Sequence, residues 1–157
     1  MEQIARALPG SKVQQFNKSI VLLREGRSPG SCYFLLKGRV EIRKRIKGKA
    51  VMIATVGRGE FFGEMSMLSG EKRSASAIAL TSVKLIEIRR SDFERLLREH
   101  NPLAVQLSLH FATQLANRAS RLLKLLSKQP TFTAPKSKNL PVDVRQVLHQ
   151  VYSLWAV

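Results

Sequence analysis

Apolar and polar positions alternate through much of the chain before Arg90 and recur at helical spacing after it. Cys32 to Ile46 has a strand pattern, with Val40 and Ile42 on one face and Arg39, Glu41 and Arg43 on the other. Lys47-Gly48-Lys49 reads as a hairpin turn, and Ala50 to Val56 as the return strand. Ser76 to Leu80 and Val83 to Ile88 predict two further strands. In the second, Val83, Leu85 and Glu87 oppose Lys84, Ile86 and Ile88, an imperfect alternation expected where both faces are covered. Near the start, Ile4 to Leu8 reads as a short helix stopped by the breaker pair Pro9-Gly10.

Two helices are expected after the strands. Ser91 and Glu94 form an S-x-x-E capping box, and Phe93, Leu96 and Leu97 supply an apolar stripe. Asn101-Pro102 ends that helix and opens the next, since proline fits a first helical turn. From Leu103 to about Leu126, Leu107, Phe111, Leu115, Leu122 and Leu126 recur near helical spacing, which predicts one long helix. Pro130, Pro135 and Pro141, set among Thr, Ser and Lys, then mark a linker over 128–141. Val144, Val147, Leu148, Val151 and Leu154 or Trp155 give 142–157 a helical period. The expected organisation is therefore one domain over 1–127 that includes the long helix, a linker over 128–141 and a terminal helix over 142–157.

At 157 residues the chain can bury a proper core. With 27 Lys and Arg against 11 Asp and Glu its formal charge is +16, which favours an anionic partner: nucleic acid, an acidic membrane face or an acidic protein. Arg39, Arg43, Lys44, Arg45, Lys47 and Lys49 share the expected hairpin, either as a solvated face or as a nucleic-acid or membrane patch. Aromatic residues make up 6% of the chain and few fall among these charges, which argues against base stacking on a single strand. The start lacks a basic stretch followed by an apolar run, and no segment has the length to span a bilayer, so a cytoplasmic protein is expected. The single Cys32 excludes an internal disulfide and offers no cysteine cluster for zinc. His100, His110 and His149 lack metal-ligand spacing, and no Ser-His-Asp arrangement or nucleophile elbow is visible. No metal and no enzymatic role are expected.

Candidate chemistry concentrates in Phe61-Phe62-Gly63-Glu64-Met65-Ser66-Met67-Leu68 and in Arg73-Ser74-Ala75 downstream. Gly63 lets the backbone come close to a ligand, and Glu64 to Leu68 can form a helical turn whose free N–H groups face an anion. Arg73 can offer a forked, permanently charged donor to phosphate oxygens, and the Ser74 hydroxyl one more bond. Ionised Glu64 suits a sugar hydroxyl. The same residues allow a blander reading, in which Glu64 and Arg73 pair with each other or the site is a scaffold without ligand.

From about Ile20 to Leu122 the chain resembles the cyclic nucleotide-binding domain family, the sensor domain of bacterial catabolite activator proteins, cyclic-AMP-dependent kinase regulatory subunits and cyclic nucleotide-gated channels. The resemblance rests on that family's phosphate-binding cassette, matched at Phe62, Gly63, Glu64, Leu68, Arg73, Ser74 and Ala75 and in the spacing of Glu64 and Arg73. Arg24-Glu25-Gly26, the stretch Cys32 to Val40 and the stretch Val56 to Glu64 look like the glycine-punctuated turns of that family's β-roll. It implies an α+β, mainly β fold: a β-roll or jelly roll with an N-terminal helix and a long C-terminal helix. It further implies Arg73 on a cyclic phosphate, Glu64 on a ribose 2′-hydroxyl, and N–H groups around Gly63 to Met65, with Ser66 in the same turn, completing the cradle. Ile53 and Ala54 would line the base pocket or belong to the core. Arg118, and less so Arg121, would contact the base or be solvated.

The function so implied is a stand-alone sensor that binds cyclic AMP or cyclic GMP and signals by rearranging helices, with a homodimer along the long helix through Leu107, Phe111, Leu115 and Leu122 and a regulated protein partner. No segment is left for a helix-turn-helix domain of ordinary size, although Leu140 to Trp155 faintly resembles the first helix after the sensor in activators. A basic nucleic-acid-binding or transcription-regulator-derived protein and a ligand-free interaction module are the alternatives.

Overall fold

The computed structural model describes residues 13–127. The expected helix at Ile4 to Leu8, the linker over 128–141 and the helix over 142–157 lie outside the described residues. Eight strands fold first: β1 (Val13–Phe16), β2 (Val21–Leu23), β3 (Ser31–Lys37), β4 (Val40–Ile46), β5 (Lys49–Val56), β6 (Phe61–Phe62), β7 (Ser76–Ala79) and β8 (Val83–Arg89). A short helix, α1 (Glu64–Ser69), interrupts them, and α2 (Arg90–Arg98) and α3 (Pro102–Ser127) follow. Contacts divide the chain into two units, 1–115 and 116–157, so that the strands, α1, α2 and the first part of α3 belong to the first.

The strands form two antiparallel four-stranded sheets, ordered β1-β8-β3-β6 and β2-β7-β4-β5. Side chains alternate across a strand, and in the first sheet both faces are apolar. Cys32, Phe34, Phe61, Ile86 and Ile88 pack with Phe93, Leu96, Ala104, Leu107 and Phe111 of the helices. The intervening Leu35, Phe62, Val83 and Leu85 pack with Val40, Val56, Ala77 and Ala79 of the second sheet. That double coverage accounts for the broken alternation in β8. The second sheet packs one face into this core; away from it, β4 exposes Arg43 and Arg45 while β5 exposes Val51, Met52 and Ile53.

Three expectations need revision. The strand pattern over Cys32 to Ile46 is two strands, because Gly38 turns the chain at φ 94°. Ser91 is not a cap: it lies inside α2, whose N-cap is Arg89 in extended backbone with no side-chain cap, and Glu94 instead takes the Arg90 guanidinium at 2.7 Å. An i, i+4 ion pair on the helix surface thus replaces the capping box. Leu107 and Phe111, at 2% and 1% exposure, are core residues of the first unit and are closed to a partner helix. The Asn101-Pro102 boundary stands, with Asn101 Oδ1 accepting the Leu103 N–H at 2.9 Å. The hairpin turn stands also, with Lys47 and Gly48 both at positive φ (48° and 78°), the pairing that suits a two-residue turn between twisted strands.

Candidate functional site

Short β6 delivers the chain to Gly63, whose φ of 80° and ψ of 2° place it in the left-handed region at the N-cap of α1. A Cβ there would stand 2.9 Å from Arg73 Nη1 and 2.9 Å from Leu23 Cδ1. Glycine is required both by conformation and by space. The Gly63 carbonyl accepts the Met67 N–H at 3.3 Å, so α1 begins at once, and the N–H groups of its first turn have no acceptor within the helix.

Arg73 is held beside this turn although no helix or strand carries it. Its Nη1 donates to the Gly63 carbonyl at 2.8 Å and its Nη2 to the Ser31 carbonyl at 2.5 Å. The Gly26 N–H donates to the Arg73 carbonyl at 2.8 Å, and the Arg73 N–H to the Arg27 carbonyl at 2.9 Å. Side chain and backbone are therefore fixed from three segments, and the guanidinium is only 5% exposed. Burial lowers its pKa from the ordinary value, while Tyr33, Cys32, Glu64 and Glu87 act the other way. It stays cationic, as guanidinium groups do in proteins. Among the described residues no carboxylate stands within ion-pair distance of it, so Glu64 and Arg73 feel each other's charge without forming the direct pair the sequence allowed.

Glu64 is 1% exposed, and its Oε2 accepts no hydrogen bond from a described residue. Cys32 lies close by: burial first, then Glu64, pushes its thiol far above the usual range, with Arg73 opposing. Ser66 is buried and its hydroxyl donates to the Lys72 carbonyl at 3.5 Å. Ser74 is exposed and its carbonyl accepts Lys44 Nζ at 2.6 Å. Ala75 is half-buried, and Met65 is 54% exposed.

Gly63, Glu64, Met65, Ser66 and Arg73 are thus gathered in one place. Phe62 is not a surface group there: it is 1% exposed and its ring stacks on Tyr33 at 5.3 Å within the second core, so it supports the turn from below. Ile53 and Ala54 are exposed on β5 and not core residues. The register jumps from Ile42 opposite Ala54 to Arg43 opposite Met52, which leaves Ile53 as the extra residue of a bulge. Arg118 stands on the part of α3 that belongs to the second unit.

Several residues that shape the site carry no signal of their own in the sequence. Ser31, Gly26 and Arg27 act through main-chain atoms, which any residue has. Gln114 did carry one, as a polar position facing inward on an otherwise apolar helix face: its Oε1 accepts the Phe61 N–H at 2.9 Å and its Nε2 donates to the Phe61 carbonyl at 2.6 Å. The strand that leads into Gly63 is pinned by that pair.

The described residues thus form a helix-backed β-sandwich with a glycine-capped turn set against a buried guanidinium. The model of the cyclic nucleotide-binding domain matches residues 13–100, and the chain belongs to that family. It is 31% identical over 127 residues to the cyclic AMP receptor protein of Thermus thermophilus, covering 80% of this chain and 58% of that protein. It is 35% identical over 97 residues to a cAMP-dependent protein kinase regulatory subunit of Aspergillus fumigatus, covering 60% of this chain and 22% of the subunit. Among solved structures, a cyclic nucleotide-binding domain from Methylobacillus flagellatus superposes with a TM-score of 0.70 at 26% identity, covering 76% of this chain and 68% of that one. The chain therefore spans little more than half of one of these curated relatives and about a fifth of the other. Among the described residues no helix is long and apolar enough to cross a membrane, and no three His, Cys, Asp or Glu side chains are grouped to hold a metal ion.

Proposed function

We propose that this chain is a cyclic nucleotide sensor that binds cyclic AMP or cyclic GMP between the α1 turn and Arg73. The observation that carries the reading is the buried Arg73 guanidinium, fixed by two main-chain carbonyls and facing no carboxylate among the described residues. A buried cation is costly unless an anion joins it. A phosphate would meet that charge together with the N–H groups of Glu64 to Ser66, and the Ser74 hydroxyl would add a bond. Glu64 would accept from the ribose 2′-hydroxyl. Ile53 and Ala54 on β5 are the groups proposed for the base.

In this reading the domain over 1–127 is the sensor, 128–141 a linker and 142–157 a further helix, in a cytoplasmic, non-enzymatic protein. Ligand that fits the cradle better in one arrangement of the helices shifts the population toward it, and a protein partner reads the change. Leu107 and Phe111 serve the core, so a homodimer along α3 would use the exposed Val105 and Leu109 instead.

Calorimetric titration with cyclic AMP, cyclic GMP and 2′-deoxy cyclic AMP, on the native chain and on Glu64→Gln, tests the proposal. Micromolar or tighter binding is expected, with Glu64→Gln costing the ribose ligand about tenfold and the deoxy ligand less. Absence of binding to any of the three would overturn the reading, and equal losses would remove Glu64 from the sugar.

A further inference from the structure

A cleft lies beside β4 and the loop that follows β2. A cavity of about 560 Å³ is lined by Arg24, Glu25 and Arg27 of the β2–β3 loop, by Arg43, Lys44 and Arg45 of β4, and by Ala50, Ser76 and Ile78. Arg43 pairs in register with Ser76, Glu41 with Ile78, and Arg45 with Ala50. Ala77 and Ala79, between and beyond Ser76 and Ile78, pack into the core, so Ser76 and Ile78 point the other way. The cavity is therefore on the outer face, and its lining shares no residue with Gly63–Ser66 or Arg73–Ala75.

Its charge is one-sided, with five cations around a single carboxylate. Glu25 is already engaged, accepting the Arg45 N–H at 2.9 Å and facing Lys44 Nζ at 3.5 Å. Arg43 pairs with Glu41. The side chains of Arg24, Arg27 and Arg45 form no ion pair among the described residues. Like charges held close together repel, and the two acids, Glu25 of the loop and Glu41 of the hairpin, are fewer than the five cations.

We propose that this outer cleft is a second anion site that takes a small soluble ligand with clustered phosphate groups. Four of the five cations are arginines, whose planar forks match phosphate oxygens two at a time. They converge from two chain segments on one volume of ordinary ligand size, above a floor that includes the apolar Ala50 and Ile78. A nucleic-acid strand calls instead for a groove that follows its backbone and for stacking platforms, and the lining holds no aromatic residue.

The test uses sodium tripolyphosphate as the probe, with inorganic phosphate, short duplex DNA and phosphatidylserine vesicles as comparisons, and amide shifts read by NMR at moderate salt. Tripolyphosphate is expected to shift Arg45, Ala50, Ser76 and Ile78 saturably and to bind more tightly than inorganic phosphate. The double variant Arg24→Gln/Arg45→Gln, whose altered side chains are exposed, is expected to keep its melting temperature and cyclic nucleotide affinity. It should lose about tenfold or more in tripolyphosphate affinity. Shifts confined to Gly63–Ser66 and Arg73, unchanged affinity in the double variant, or saturable binding of DNA or vesicles without tripolyphosphate would each overturn the site.

Discussion

Arg73 and Arg45 carry the same guanidinium in opposite circumstances. Arg73 is buried, its donors are aimed by the Gly63 and Ser31 carbonyls, and its backbone is bonded on both sides. Arg45 is exposed on a hairpin; its main chain pairs in register with Ala50 and its N–H donates to Glu25, while its guanidinium forms no ion pair among the described residues. The first arrangement is a site built before the ligand arrives, in which little ordering remains to be done on binding. The second is a cluster of charge on exposed side chains, and salt screens it. The lesson is that a charge count locates candidate anion sites, and that burial and main-chain anchoring separate a preorganised one from a responsive one.

The sharpest way to break the contrast is Arg73→Ala. It should weaken cyclic nucleotide binding by about 2–4 kcal/mol, since it strands the phosphate without its charged partner. Titration calorimetry reads the loss, and unchanged affinity would make the two arginine regions equivalent. Gly63→Ala comes next. A residue with a Cβ at φ 80° costs about 1–2 kcal/mol, and contacts of 2.9 Å with Arg73 and Leu23 displace the guanidinium as well. Lower stability in urea together with weaker cyclic nucleotide binding is expected. Stability loss alone would mean that Arg73 holds its place without the glycine.

Cys32 sharpens the comparison through pH. Its thiol is pushed far up by burial, and by Glu64 in the same direction. In the unfolded chain a thiol ionises near pH ~8.5. Above that pH the unfolded state releases a proton that the native state keeps, so stability falls as pH rises, by up to about 1.4 kcal/mol per unit. Below it the contribution is fully present. Urea midpoints followed from neutral to alkaline pH should decline less steeply in Cys32→Ala, and parallel curves would contradict a buried neutral thiol beside the cassette. The smallest effect is expected from Arg45→Gln, within about 0.5 kcal/mol of native stability because the side chain is exposed and unbonded. A cost above that in thermal unfolding would show the outer face to be as structural as the cassette.

Much of this protein is legible in the sequence because the relevant signals are local. Alternation marks the strands, Lys47-Gly48 the hairpin, Asn101-Pro102 the helix boundary, and Gly63, Glu64 and Arg73 the cassette. Each rests on steric or hydrogen-bonding preferences of a few neighbouring residues. Where a local signal misled, a competing interaction was local too: Arg90 takes the Glu94 carboxylate that the capping box would have used.

Other features were decided only by tertiary structure. An apolar helix face reads the same whether it meets a sheet or a second helix, and packing against Phe61 and Phe93 made Leu107 and Phe111 core residues. Ile53 looks like core by composition, yet a one-residue slip in register leaves it at a bulge in the open. The Ser31 carbonyl serves Arg73 from 42 positions away through an atom that every residue has. Sequence therefore named residues that the fold gathers around Gly63 and Arg73. Which main-chain atoms hold that chemistry in place, and which apolar face stays exposed, depended on contacts between segments distant in the chain, whose identity no residue type encodes.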